Sequence, residues 1–343
     1  MNPAFQEHLV SRGARIDGGR VADFGAPDAE RENAASGTVL VPLSHLSVVR
    51  AGGPDAATFL HNLVTNDVKG LASGQAQYDG LCTPKGRMLA SFLLWREADG
   101  LLLATARDLK DALLRRLAMY VLRSKVSLSD VDAQWVLLGL AGLDAEAAAA
   151  RCGLPAPREP MGVAAFADGM VIRVGDARFQ IAVRAPAAAA LWDALCGVAR
   201  PGGEALWRWF DIRAGIPLVV AATSEEFVPQ MVNFELVGGV NFHKGCYPGQ
   251  EVVARSQYLG KIKRRMVLAH LDAAAAPTPG EHLYGVKLGD QSCGAVVDAV
   301  PAPGGGCDLL AVVQTSSAES GAIRLGRPDG PELRLQPLPY PVS

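Results

Sequence analysis

The chain carries little net charge of either sign. Lysine and arginine account for 33 of its 343 residues, aspartate and glutamate account for 35, and the formal net charge is −2. Proteins that bind nucleic acid usually show a strongly basic domain. We therefore expect no direct nucleic-acid partner.

Long hydrophobic runs are also missing. The most apolar stretch, WVLLGLAGLDAEAAAA, is interrupted by Asp144 and Glu146, whereas a membrane-spanning helix needs about 20 consecutive apolar residues. The opening residues, MNPAFQEHLVSRGARIDGGR, carry early charges and lack the continuous apolar core of a signal peptide. These patterns predict a cytoplasmic protein without a membrane partner.

Cysteine is sparse and has no metal-binding or redox spacing. None of the six cysteines belongs to a CxxC pair, and they stand at positions 82, 152, 196, 246, 293 and 307. In the reducing cytoplasm such thiols stay free and are mostly buried. A structural zinc site needs four ligands, and no second Cys/His pair lies near His243 and Cys246, so we predict no metal. Neither a GxxxxGK[ST] phosphate loop nor a GxSxG nucleophile motif occurs.

The composition is that of a folded protein with more than one packed unit. Apolar residues make up 49% and charged residues 20% of the chain, which excludes an intrinsically disordered protein. A length of 343 residues allows two or three packed units.

Changes of pattern along the chain predict four segments. Residues 1–36 show little periodicity and are predicted to be a loosely structured lead-in. Residues 37–133 and 205–262 hold strand-like runs, the amphipathic helix RDLKDALLRRLAMYVLRSKV and most of the polar motifs. Residues 134–204 are alanine-rich and predict an inserted α+β subdomain. Residues 263–343 carry short apolar runs split by Gly, Asp and Pro, which is typical of a small β-sandwich or β-barrel.

The stretch HKGCYPGQE concentrates groups that can carry chemistry. Cys246 follows Lys244 by two residues and His243 by three, and Pro248-Gly249 predicts a turn with a helix directly after it. Cationic neighbours and a helix N-terminus favour a reactive thiolate. Free cysteines are, however, usually core residues. The motif alone leaves open a reactive thiol or a buried cysteine at a strand–turn–helix junction.

The densest positive run, KIKRRM, begins at Lys261, shortly after this motif. It is either a solvated face or a dock for the carboxylate of a small anionic ligand. Arg255 follows Glu251 by four residues, so the two can pair on one face of a helix.

Several of these stretches together resemble one family. FDIRAGIP and then FVPQMVNFELVGGVNFHKGCYPGQEVVARSQYLGKIKRR are similar to the YgfZ-type folate-binding proteins, paralogues of the glycine cleavage T-protein, an aminomethyltransferase. Their signature KGCYxGQE is present from Lys244 to Glu251. GPDAATFLHNLVTND, QYDGLCTPKGRMLASF and the final β segment match in order, so the resemblance covers about residues 38–335.

The resemblance implies an α+β, three-lobed, aminomethyltransferase-like folate-binding fold with a C-terminal β-barrel. It also implies tetrahydrofolate, or a one-carbon derivative of it, as the ligand. The partners that it implies are iron–sulfur proteins or their assembly machinery, on which certain tRNA modifications depend.

Carried onto this chain, the resemblance assigns a reactive thiol to Cys246 and its electrostatic tuning to Lys244. The side chains that it implies for folate binding are Tyr78, Arg213, Tyr247, Gln250, Arg255 and Lys261. The residues that it assigns to the shape of the motif are Gly245, Pro248, Gly249 and Glu251. A tyrosine in a strand is at least as often a core residue, so Tyr78 has both interpretations.

Two departures argue against one-carbon transfer by the usual mechanism. The T-protein stretch NExGGxxDD carries carboxylates, and the corresponding text here, TPKGRMLASF, has Ala90 and Ser91 in their place. Arg213 stands where the relatives' IEAG has a glutamate that can recognise the pterin, and arginine offers donors only. The leading hypothesis is a tetrahydrofolate-binding accessory protein for iron–sulfur cluster assembly or repair. The alternatives are a folate-dependent aminomethyltransferase and a non-catalytic binding scaffold.

Overall fold

The computed structural model describes residues 1–98, 100–258 and 262–342 and contains both helices and strands. The α-helices are α1 (Pro3–Ser11), α2 (Pro27–Ser36), α3 (Ala56–His61), α4 (Lys110–Val121), α5 (Ala145–Arg151), α6 (Ala185–Cys196), α7 (Glu204–Arg213), α8 (Gln250–Tyr258) and α9 (Thr315–Ser320). The strands are β1 (Arg15–Asp17), β2 (Arg20–Asp23), β3 (Thr38–Pro42), β4 (Leu46–Gly52), β5 (Ala76–Cys82), β6 (Met88–Glu97), β7 (Gly100–Ala106), β8 (Ser127–Asp130), β9 (Trp135–Gly142), β10 (Val163–Phe166), β11 (Gly169–Gly175), β12 (Arg178–Arg184), β13 (Arg200–Pro201), β14 (Arg264–Leu271), β15 (His282–Gly285), β16 (Ser292–Pro301), β17 (Cys307–Gln314), β18 (Ile323–Leu325) and β19 (Glu332–Gln336). The predicted α+β class is confirmed.

The first half of the most apolar stretch forms β9, an inner strand of a six-stranded sheet with the order β10-β11-β12-β9-β3-β13, and the second half leads into α5. β9 pairs antiparallel with β12 on one side and with β3 on the other. Seven of its eight residues are buried, because a strand covered on both faces needs apolar side chains at every position. Among the described residues, no helix is both long enough and apolar enough to cross a membrane.

Residues 1–36 are more ordered than predicted. They form α1, the β1–β2 hairpin and α2, and Phe5 and Leu9 of α1 pack into the same core as Trp192 of α6. The prediction of a loosely structured lead-in is wrong because the apolar residues of α1 are few. Their burial depends on a partner helix about 185 residues later in the chain, as in the His8–Asp193 contact.

A second sheet has the strand order β5-β6-β7-β4-β8. The helix predicted in RDLKDALLRRLAMYVLRSKV is present as α4, preceded by a 3₁₀ turn at Arg107–Leu109. Leu113 and Leu117 are the buried residues of α4, as the apolar stripe predicts.

The last part of the chain closes into a six-stranded barrel with the order β14-β17-β16-β15-β18-β19, and β19 pairs with β14. β14 and β17 run in antiparallel register from Arg264↔Gln314 to Leu271↔Cys307. The predicted C-terminal β-barrel is confirmed, and closure leaves no unpaired edge.

Residue contacts divide the chain into two compact units. The first comprises residues 1–59, 70–77 and 93–207, and the second comprises residues 60–69, 78–92 and 208–343. The HKGCYPGQE motif and the barrel both belong to the second unit.

Candidate functional site

The motif HKGCYPGQE forms an irregular loop, residues 243–249, that leads into α8. Lys244 is 8% exposed and Tyr247 is 6% exposed, whereas Cys246 lies on the exposed side of the loop with Gly245. The alternative of a buried cysteine at this junction is wrong. The thiol faces solvent, and the lysine beside it in the sequence faces the interior.

The Lys244 side chain fastens the loop to the chain that follows α3. Its Nζ donates to the carbonyl oxygens of His61 and of Val64, the latter at 2.6 Å. Burial lowers the pKa of Lys244 to about 8, while the negative charges of Asp79 and Asp67 raise it. The Lys244 ammonium is therefore hydrogen-bonded to backbone carbonyls inside the unit. The predicted effect of Lys244 on Cys246 stays a prediction.

Tyr247 packs beneath the loop. Its ring lies 4.9 Å from Lys244 Nζ, in cation–π geometry. Burial raises the pKa of the Tyr247 phenol, and burial likewise raises the pKa of the neighbouring Cys82 thiol to about 12. The position of Tyr247 is that of a packing residue, and its predicted folate contact is untested.

The turn before α8 depends on a close approach of two backbones. Gly249 has φ +83°, and a Cβ there would lie 2.4 Å from the Thr83 carbonyl oxygen and 2.7 Å from Gly86 Cα. Only glycine combines that φ with that contact. The turn at Pro248-Gly249 and the helix start at Gln250 are present as predicted, with Glu251 in the first turn of α8.

Among the described residues of this unit, two buried side-chain oxygens have no hydrogen-bond partner. Gln230 is fully buried and its Nε2 donates to Val253 O at 2.7 Å, but its Oε1 has no partner among the described residues. A flipped amide would place two acceptors together, so the Val253 bond determines the orientation of the Gln230 side chain. Glu235 pairs through Oε1 with Arg265, and its Oε2 is likewise buried without a described partner. Sequence patterns do not reveal either atom, because Gln230 lies in a 3₁₀ helix of four residues and Glu235 in a turn, and neither segment is long enough to show periodicity.

A histidine and a carboxylate also approach the loop. His61 Nδ1 lies 3.0 Å from Asp67 Oδ1. A Cβ placed on Gly245 would lie 3.7 Å from His61 Nε2. No sequence pattern points to either residue, because they stand about 180 positions before the motif.

The other predicted folate-binding residues have varied surroundings. Tyr78 is half-buried, and its backbone carbonyl accepts from Asn66 Nδ2 at 3.0 Å. Arg213 hydrogen-bonds Gln336 of the barrel and lies 3.8 Å from the Asp308 carboxylate. The hydrogen bond to Gln336 uses a donor that a ligand would otherwise need.

The remaining predicted contacts lie on or just after α8. Gln250 is half-buried at its first position, Arg255 is exposed on it, and Lys261 lies outside the described residues. These folate contacts therefore stay predictions.

The two positions at which the resemblance places the carboxylates of the T-protein are core positions. Ala90 and Ser91 are 2% and 3% exposed, and Ser91 Oγ accepts from Val219 N at 2.9 Å. Neither side chain has a group that can hold or move a proton for a ligand. Over the described ranges, no group of three or more His, Cys, Asp or Glu side chains is arranged to hold a metal ion.

Known proteins share both the sequence and the fold. The GCVT N-terminal domain matches residues 20–206. The tRNA-modifying protein YgfZ of Enterobacter sp. (strain 638) is 33% identical over 308 residues, which cover 89% of this chain and 94% of that protein. The protein of the same name from Cronobacter sakazakii is 33% identical over 326 residues, covering 92% and 98%.

A solved structure agrees with the fold. The glycine cleavage system aminomethyltransferase T from Bartonella henselae has a TM-score of 0.81 at 20% identity, covering 98% of this chain and 96% of that chain. The predicted aminomethyltransferase-like fold is confirmed. By sequence, the chain belongs to the YgfZ family and, through residues 20–206, to the GCVT N-terminal domain family.

Proposed function

We propose that this protein is a cytoplasmic, tetrahydrofolate-binding accessory protein. It supports the assembly or repair of iron–sulfur proteins on which tRNA modification depends, and Cys246 is its reactive thiol. The observation that carries the proposal is the exposed position of Cys246 on a loop held by buried Lys244 and by Gly249. The relatives named tRNA-modifying proteins support the link to tRNA.

The unpaired acceptors support a folate ligand. A reduced pterin presents amide and amino N–H groups, and Gln230 Oε1 and Glu235 Oε2 are acceptors without described partners. Arg213 cannot supply an acceptor, so these two oxygens are the candidates to replace the glutamate of the relatives. Exposed Arg255 and Lys263 offer positive charge for the carboxylates of the folate tail.

We expect tetrahydrofolate and its polyglutamate to bind saturably in an isothermal titration. Gln230→Leu should weaken binding about tenfold, since one lost hydrogen bond is worth about 0.5–1.5 kcal/mol. Gln257→Leu is the matched control, because Gln257 is an exposed residue of α8. Equal affinities for the wild type and the Gln230→Leu variant would remove Gln230 from the site, and no saturable binding by the wild type would end the folate proposal.

We expect Cys246→Ser to abolish most of the protein's support for tRNA thiolation. The measurement is the content of thiolated nucleosides in tRNA from a strain that lacks the protein and carries each variant in trans. Cys152→Ser is the control, since Cys152 is another free cysteine but belongs to the first unit. If Cys246→Ser fully restores the content of thiolated nucleosides, Cys246 is not the reactive thiol.

One-carbon transfer by the T-protein mechanism has less support. The fold alone is shared at 20% identity, and Ala90 and Ser91 are buried where carboxylates would stand. If the purified protein turns over an aminomethyl donor with tetrahydrofolate, one-carbon transfer becomes the better supported function.

A further inference from the structure

The C-terminal end of α4 presents both apolar and positively charged side chains to solvent. Met119 is 58% exposed and Leu122, the residue that follows the helix, is 89% exposed. Four cations lie next to them in the sequence, and among the described residues no carboxylate forms an ion pair with the side chain of any of the four. We call this surface the basic tip, and its residues are Arg115, Arg116, Met119, Leu122, Arg123 and Lys125.

Leu122 has a backbone conformation that disfavours leucine. Its φ is +44° and its ψ is −106°, and a positive φ crowds the Cβ of any residue except glycine, which is common directly after a helix. Backbone strain of this kind persists where the surrounding structure imposes it, and it clusters at functional positions. Because Leu122 is almost fully exposed, burial of its side chain does not offset the strain.

Hydrogen bonds on both sides of the turn hold the basic tip in place. Lys125 N donates to Asp55 Oδ2 at 2.7 Å, and Ser124 N donates to Val121 O at 2.7 Å. Leu122 lies between these anchors. A side chain that is already fixed in its bound position loses less conformational entropy when it meets a partner, so the turn is suited to presenting Leu122 to another molecule.

The charges of the basic tip determine which kind of partner fits it. An apolar contact with cations around it matches a surface on which carboxylates surround apolar side chains, because complementary charges steer the encounter and exclude wrong partners. A second copy of the basic tip carries the same positive charges and would be repelled. Nucleic-acid phosphates would contact the arginines but would leave Met119 and Leu122 without an apolar contact.

We propose that the basic tip is a docking surface for an acidic segment of a partner protein, with Leu122 as its central apolar contact. Met119 extends the apolar contact, and the cations pair with the partner's carboxylates. The proposal needs neither Cys246 nor folate, so its failure and the failure of the proposed function are separate results.

The test is a selection of phage-displayed random 16-residue peptides on the full-length protein, followed by titration of the enriched peptides. We expect these peptides to combine several Asp or Glu residues with apolar residues. Leu122→Gly and Arg115→Glu should each weaken their binding at least about tenfold. Leu122→Gly should also raise the melting temperature by about 2–4 °C, because glycine relieves the strain at a positive φ. A leucine that served only the fold would lower the melting temperature when removed.

Two exposed residues of the same unit provide matched controls. Leu143 is 80% exposed and Arg158 is exposed, and neither belongs to the basic tip. Leu143→Gly and Arg158→Glu should leave peptide binding unchanged, and Leu143→Gly should not raise the melting temperature.

Four results would overturn the proposal. They are enrichment of no peptides or of peptides without carboxylates, equal affinities of the wild type and Leu122→Gly, and a melting temperature of Leu122→Gly no higher than that of the wild type. The fourth is binding of purified tRNA that Arg115→Glu abolishes and Leu122→Gly leaves intact, which would assign the basic tip to nucleic acid instead.

Discussion

Arg265→Met is expected to lower the free energy of unfolding by about 3–5 kcal/mol, the usual cost of removing one partner of a buried ion pair. Arg265 and Glu235 are both more than nine-tenths buried, and Arg265 also donates to Gln230 O at 2.9 Å. The variant leaves the Glu235 carboxylate in the interior without its cation. Urea denaturation followed by circular dichroism measures the loss.

Arg264→Met is the control, since Arg264 is the exposed neighbour on β14 and should cost less than about 0.5 kcal/mol. Burial already raises the pKa of Glu235, although Arg265 lowers it. Without Arg265 that pKa rises further, so the folded variant binds a proton that the unfolded chain releases. Its deficit should therefore be smallest below the ordinary range of a glutamate and grow as the pH rises. Equal losses in the two variants, or a loss independent of pH, would contradict this account of the pair.

Gly249→Ala is expected to lower the free energy of unfolding by about 2–4 kcal/mol. The added Cβ meets the Thr83 carbonyl at 2.4 Å and Gly86 Cα at 2.7 Å, and both are backbone atoms that cannot rotate away. The positive φ adds strain for any residue with a Cβ. Because the loop must then shift, we also expect faster alkylation or proteolysis around Cys246.

Gly238→Ala separates the two causes. Gly238 also has a positive φ, +77°, but nothing lies within 4 Å of its Cβ position. It should cost only about 1 kcal/mol, the conformational part of the effect. A loss in Gly249→Ala no larger than in Gly238→Ala would show that the contact with the 83–86 turn is unimportant.

Local patterns predict the parts of this protein whose structure depends on near neighbours. The turn at Pro248-Gly249, the helix after it and α4 follow from proline, glycine and 3.6-residue periodicity. The barrel follows from short apolar runs separated by turn residues. The order of residues 1–36 does not follow in this way, because α1 gains its stability from contact with α6.

Local patterns likewise do not predict which way the side chains of the motif point. In the sequence, Lys244 stands two residues from Cys246, and this spacing predicts that the charge acts on the thiol. In the structure, the carbonyls of His61 and Val64, 183 and 180 residues away, accept hydrogen bonds from this ammonium, and the spacing does not reveal them. His61 and Asp67 belong to the same distant segment, which lies near this loop. No sequence spacing connects either residue to the motif.

The sequence by itself determined the family, the α+β class with its C-terminal barrel, and the motif that holds the candidate thiol. Motifs and periodicities record local conformation and shared ancestry, and both can be seen in one chain. Only the tertiary structure decided which side chains of the motif face solvent, where the buried lysine finds its acceptors, and which histidine lies beside Gly245. These outcomes depend on burial and on contacts between residues that are distant in the sequence, and a linear pattern carries neither.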